Sequence, residues 1–249
     1  MKETTAIIGA TSGIARALAR ECAGCGDDIV LAARDKDQLR VMKKDLQTRY
    51  SAQIGIVLFD ALDFGNHSEY WKQICNTEAG EPTRVVFSYG YMADQNECQH
   101  IPEKARRTFE VNLISVASLL ELVAFDFAKR GNGTIVVISS VAGDRGRAAN
   151  YIYGASKAGL TAYAAGLRNR LYKHGVHVLT VKPGFVDTLM TKGIIDPNSP
   201  LVATPKKAAL DICKAMDRKK NIVYTKWLWR IIMAIICIIP ESIFKHLKI

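Results

Sequence analysis

Tyr153 and Lys157 stand four residues apart in the run Tyr153-Gly154-Ala155-Ser156-Lys157. On a helix that spacing puts both side chains on one face. A free tyrosine has a pKa of about 10 and is a poor proton shuttle at neutral pH. A neighbouring ammonium favours the phenolate and lowers that value. The pair is therefore a candidate acid/base catalyst. Such pairs also occur on ordinary surface helices, so the rest of the chain decides.

A second chemistry-bearing stretch opens the chain. Residues 5–8 read as a buried strand that runs into Gly9-Ala10-Thr11-Ser12-Gly13-Ile14-Ala15 and then an alanine-rich helix. Strand, glycine turn and helix together make a phosphate-binding context, with backbone N–H donors at the helix start. The next strand, 28–33, ends at Arg34-Asp35. An acidic side chain at that place accepts from the ribose 2′-hydroxyl of NAD, whereas an arginine accommodates the 2′-phosphate of NADP. Arg34 therefore favours NADPH, with NADH as the alternative. Asp35 is expected to cap the helix that follows.

These residues need a scaffold, and the hydrophobic patterning describes one. Residues 53–59, 83–88, 134–138, 176–181 and 221–224 read as further strands, and 66–76, 102–129, 153–173 and 204–218 as helices. Asp60 ends the third strand, Gly90 follows the fourth, Ser140 ends the fifth, and Pro183-Gly184 breaks the sixth. The fifth is almost wholly β-branched, the mark of a strand buried on both faces. The alternation predicts an α/β fold: one doubly wound parallel sheet of about seven strands with helices on both faces. Residues 185–200 read as a mobile loop and a candidate lid. The expected division is one domain over 1–225 and an apolar, basic tail over 226–249.

Composition bounds the rest. The 249 residues are 49% hydrophobic and carry a net charge of +10. Ten Lys/Arg against three acidic residues put +7 of that charge in 200–249. Six scattered cysteines fit a reducing, cytoplasmic compartment. Cys22 and Cys25 form one C-x-x-C with no second pair or histidines near, so no metal is expected. No charged segment followed by a long apolar run opens the chain, so no secretory signal is expected.

Taken together, the chain resembles the short-chain dehydrogenase/reductase family over essentially its whole length. The turn at Gly9 to Ala15, Asn112 in the long helix, Ser140 and the Tyr153/Lys157 pair agree in order and spacing, and Pro183-Gly184 with Val186 and Thr188 matches the nicotinamide-side segment. The resemblance implies a Rossmann-like fold and ketone reduction. Tyr153 would protonate the carbonyl oxygen. Lys157 would hold the nicotinamide ribose and lower the tyrosine pKa, Ser140 would polarise the carbonyl, and Asn112 would complete a proton path. Gly9, Thr11, Ser12, Gly13, Ile14 and Gly90 would line the cofactor, Asp60 would approach the adenine, and Val186 and Thr188 the carboxamide. Two departures stand out: Ala15 replaces the third glycine, and Phe87-Ser88-Tyr89-Gly90 replaces the usual Asn-Asn-Ala-Gly. Members are commonly oligomers, so a homo-oligomer is implied.

Two features bear on the substrate. Twelve of the thirteen residues from Trp227 to Ile239 are apolar. A helix of that length is about 20 Å long, short of the roughly 30 Å hydrocarbon core of a bilayer. With its tryptophans and flanking cations it is expected to meet an anionic membrane surface on the cytoplasmic side, or to wall a lipid site. Aromatics are not interleaved with the cations, so nucleic acid is not expected. Residues 139–150, 153–160 and 239–245 also resemble one subfamily, the reductases of decaprenylphosphoryl-2-keto-erythro-pentose. That resemblance implies reduction of a 2-keto sugar lipid, supplied by a flavin-dependent oxidase, to polyprenylphosphoryl arabinose. Arg145 or Arg147 would then meet the substrate phosphate. The rival readings are another lipid-like ketone such as a 3-oxoacyl thioester, and a catalytically idle nucleotide sensor.

Overall fold

The computed structural model describes residues 2–193 and 195–247. Its strands are β1 Thr4–Ile8, β2 Asp28–Ala33, β3 Ile54–Leu58, β4 Arg84–Phe87, β5 Gly133–Ile138, β6 Val176–Pro183 and β7 Ile222–Thr225. They form one seven-stranded sheet in the order β3-β2-β1-β4-β5-β6-β7. Every neighbouring pair is parallel. The chain winds outward from β1 to β3, returns to the centre, and winds outward again from β4 to β7.

Ten α-helices among the described residues accompany the sheet: α1 Gly13–Gly24, α2 Lys36–Arg49, α3 His67–Cys75, α4 Gln95–His100, α5 Pro102–Phe109, α6 Ser115–Arg130, α7 Tyr151–Tyr172, α8 Pro205–Asp217, α9 Leu228–Ile238 and α10 Glu241–Phe244. Alternate strand residues point to opposite faces. Ala6 and Ile8 meet Leu119, Val123 and Phe127 of α6 and Leu160 and Leu167 of α7. Ile7, from the same strand, meets Leu18 of α1, Leu39 of α2 and Ile212 of α8. Each fully buried Leu, Ile, Val or Phe side chain among them contributes about 1.5–3 kcal/mol. The predicted architecture is therefore the observed one.

Two helical details differ from the sequence reading. The helix expected over 102–129 is α5 and α6 joined by a π-helical turn at Glu110–Ile114. That inserted residue re-aims the helix face at Asn112, and no propensity signals it. The helix α4 was not foreseen, because Gln95-Asn96-Glu97-Cys98-Gln99-His100 has no apolar period. Its start is fixed locally, by Asp94 accepting from the Glu97 N–H at 3.0 Å. The α5–α6 run is long and apolar enough to cross a membrane by length and composition, but Val116, Leu119, Leu120, Val123, Ala124 and Phe127 of α6 are buried in the core.

Candidate active site

The order of the strands reverses between β1 and β4, and their C-terminal ends bear the glycine turn and Gly90. In such sheets a ligand crevice opens there, because the loops diverge in opposite directions. Gly9 has φ +86°, and a Cβ on it would lie 2.6 Å from the backbone nitrogen of Tyr89. No other residue suits that turn. Ser12 caps α1, its hydroxyl accepting from Ala15 N at 3.2 Å and sitting 3.0 Å from Ser88 Oγ. Ser88 thus ties the β4 end to the glycine turn, while Tyr89 packs against the core with its ring tilted on Phe59 at 5.4 Å. The Thr11 carbonyl accepts from Arg16. A Cβ on Gly13 would lie 2.8 Å from the Thr188 methyl, so the segment after β6 closes against this turn. Val186 is buried beside Ile14 and bridges Ala203.

This cradle fits a dinucleotide. The free N–H groups at the start of α1 suit a pyrophosphate. Arg34 is exposed at the end of β2, with no acidic partner among the described residues. Asp35 is spent on capping α2, accepting from Asp37 N and Gln38 N at 3.1 and 2.9 Å. Asp60 stands exposed after β3, its carboxylate accepting from Leu62 N.

The second half of the site is built on α7. Lys157 is buried, donates to the Ile138 carbonyl at 3.1 Å, and lies 5.9 Å from the centre of the Tyr153 ring. A Cβ on Gly90 would come within 3.2 Å of Asn112 Oδ1 and 3.6 Å of Lys157 Nζ. Asn112 is wholly buried. It accepts from Tyr91 N at 2.7 Å and donates to Tyr91 O at 2.8 Å and Ser156 Oγ at 3.0 Å. Ser156 in turn donates to the Tyr153 carbonyl at 2.7 Å. The π turn thus brackets the β4 loop to the start of α7. Ser140 lies just beyond β5 with its hydroxyl accepting from Ala142 N at 3.1 Å, near enough to Tyr153 to act on its phenol.

Burial sets the electrostatics of this pair. Burial pushes the Tyr153 phenol above its ordinary value, and the bond from Ser140 pulls it partly back. Burial also pulls Lys157 down, to about 8. Burial disfavours the ionised form of both groups, and no carboxylate pairs with either among the described residues. In this state the tyrosine is a neutral acid with a proton to give.

The arginines divide. Arg145 donates to the Ile236 and Cys237 carbonyls at 2.7 and 3.3 Å and to Ile239 O. It also bridges Glu241 at 2.9 Å and stacks 3.8 Å over the Phe244 ring centre. It is the C-terminal cap of α9, which corrects its expected place on a substrate phosphate. Arg147 is different: its Nε is buried without a partner, and burial lowers its pKa. The tail itself is clamped inward. Trp229 donates to Leu201 O at 3.0 Å and packs edge-on against Phe185. Its ring fills the space a side chain on Gly184 would need, a Cβ there lying 2.0 Å from Nε1. Val141, next to Ser140, packs on Trp229 and Met233. Pro183 closes β6; beyond it, residues 185–193 and 195–200 carry turns and bends.

Sequence reasoning missed Ser156, although its place three residues after Tyr153 suits a hydroxyl bonding back along a helix. It also missed a buried network in which Lys182 pairs with Asp144 and Tyr224 donates to the same carboxylate at 2.8 Å. No local pattern announces that one.

Residues 3–198 match the short chain dehydrogenase family. The chain belongs to that family. This dehydrogenase is accordingly an NAD(P)-dependent oxidoreductase. It is 33% identical to an uncharacterized oxidoreductase of Mycobacterium tuberculosis over 241 residues, which is 97% of this chain and 95% of that protein. A short chain dehydrogenase of Burkholderia cenocepacia in complex with NADP superposes with a TM-score of 0.84 at 20% identity, covering 100% of this chain and 98% of that one. Another, from Sphingobium yanoikuyae in complex with NADPH, has a TM-score of 0.81 at 24% identity, covering 96% and 97%.

Proposed function

We propose that this dehydrogenase reduces the 2-keto group of a polyprenylphosphoryl pentose to give polyprenylphosphoryl arabinose, completing a C2 epimerisation begun by an oxidase. NADPH is the favoured cofactor, on the strength of Arg34 and of the NADP(H) bound in the similar structures. The bound nicotinamide supplies the hydride. Ser140 holds the carbonyl oxygen, Tyr153 delivers its proton there, and Lys157 offers its ammonium to a ribose hydroxyl. Asn112 and Ser156 hold the start of α7 in place.

The observation that carries the reaction is the convergence of Ser140, Tyr153, Lys157 and Asn112 beside a glycine cradle. The substrate rests on a narrower one. Two of the stretches that resemble the sugar-lipid reductases, 139–150 and 239–245, touch each other through Arg145. The resemblance therefore concerns one connected wall beside Ser140. On that wall Arg147 has a buried Nε with no hydrogen-bond partner among the described residues, which suits it to a phosphodiester.

NADPH oxidation is measured with a polyprenylphosphoryl 2-keto-pentose and with a 3-oxoacyl thioester. Turnover of the sugar lipid with an arabinose product supports the proposal; turnover of the thioester alone overturns it. Tyr153→Phe is expected to cut the rate about 10³-fold while leaving cofactor affinity intact.

A further inference from the structure

The helix α9 is clamped on one side and bare on the other. Its inner side chains, Trp229 and Met233, are buried. Its outer stripe is Trp227, Ile231, Ile235 and Ile238, at relative exposures of 71, 47, 60 and 80%. These positions follow one another by four, four and three residues, so they form a single line along the helix. Ile243 and Leu247 continue the exposed apolar surface beyond Pro240.

We propose that this stripe docks the enzyme on an anionic lipid bilayer, with α9 lying in the plane of the headgroups. Charge is the first argument. Arg230 lies within the stripe and is exposed, with no acidic partner among the described residues. Lys245 is likewise exposed. The one carboxylate in the tail among the described residues, Glu241, is taken by Arg145. Cations bordering an apolar face are attracted to a negative surface at about 1 kcal/mol each. Size is the second argument. A stable dimer interface needs about 20–30 residues a side, whereas this stripe and its extension offer six large apolar side chains. Length is the third. Eleven residues make a helix of about 16 Å, too short to cross and suited to lie along the surface. An interfacial tryptophan at one end completes the pattern.

Docking is linked to the cleft by contacts already described. Arg145 ties the C-terminal end of α9 to the loop between Ser140 and Tyr153, and Trp229 ties the helix to Gly184 and Phe185. A bilayer held by the outer stripe therefore sits behind one wall of the substrate site. The docking does not depend on which ketone enters, so its failure and that of the substrate proposal are separately visible.

The test uses the full chain with vesicles of phosphatidylglycerol and of phosphatidylcholine. Trp71 and Trp229 are buried at 8 and 4% exposure, so emission changes report on Trp227. We expect sedimentation with phosphatidylglycerol, weakened by salt, and a blue shift of the emission. Arg230→Gln is expected to weaken binding about fivefold. The double variant Ile235→Ser/Ile238→Ser is expected to abolish it, with melting temperature and NADPH binding unchanged. Failure of the unaltered chain to bind phosphatidylglycerol overturns the proposal. So does a change from dimer to monomer in the double variant by analytical ultracentrifugation, which assigns the stripe to a second copy.

Discussion

Two lysines in this site are buried, and they have opposite surroundings. Lys182 on β6 faces the Asp144 carboxylate, which Tyr224 also holds. Lys157 on α7 has one backbone carbonyl for a partner and no carboxylate among the described residues. Burial therefore acts unopposed on Lys157 and brings it to about 8. A buried charge with its partner in place is part of the scaffold. A buried charge left short of hydrogen-bond acceptors is destabilising until something arrives to supply them, and such groups mark functional sites. The arginines of the neighbouring loop repeat the contrast, Arg145 fully engaged and Arg147 with an unpartnered Nε.

Substituting each lysine by methionine separates the two roles. Lys157→Met is expected to lower turnover by about 10³-fold with no loss of thermal stability. A large stability loss with turnover retained would break the comparison. Lys182→Met strands the Asp144 carboxylate and is expected to cost about 3–5 kcal/mol in denaturant unfolding. Adding Asp144→Leu should recover most of that loss.

The pH dependence sharpens the point. Lys157 has a folded pKa of about 8 against 10.5 for the ordinary side chain. Between these values the unfolded chain binds more protons, so stability from this group rises with pH. The penalty, of order 3 kcal/mol, is complete below pH 8 and relieved toward pH 10.5. The stability advantage of Lys157→Met over the unaltered chain should therefore shrink as urea melts are moved from pH 7 to pH 10. A constant difference would refute the unopposed burial of Lys157.

The arginines give the next contrast. Arg145→Ala is expected to cost about 2 kcal/mol, since it uncaps α9 and frees Glu241. Arg147→Ala should leave stability alone and raise KM for a phosphate-bearing ketone, with kcat little changed. Equal KM for phosphorylated and unphosphorylated ketones in the unaltered enzyme would remove the reason for that assignment. The smallest effect is expected at the cofactor: Arg34→Ser should reduce the preference for NADPH over NADH about tenfold, measured as the ratio of their kcat/KM values.

Most of the scaffold was legible because its signals are local. Buried parallel strands need unbroken apolar runs, and the glycine turn needs residues that tolerate a positive φ and close approach. Helix starts declare themselves too, as Asp35 and Thr204 do by capping α2 and α8. The π turn at Asn112 and the short α4 were not legible, since neither has a periodic signature. The effect of Lys157 on Tyr153 is not legible for a related reason: spacing gives proximity, but the sign of a pKa shift depends on the dielectric around it.

The sequence by itself determined the sheet, its two apolar faces and the identity of the reacting side chains, because these follow from residue type and period along the chain. Only the tertiary structure decided which charges were already satisfied. Arg145 and Arg147 are two residues apart and chemically identical. What distinguishes them is the end of a helix about ninety residues downstream, and a contact over that separation leaves no mark on local composition.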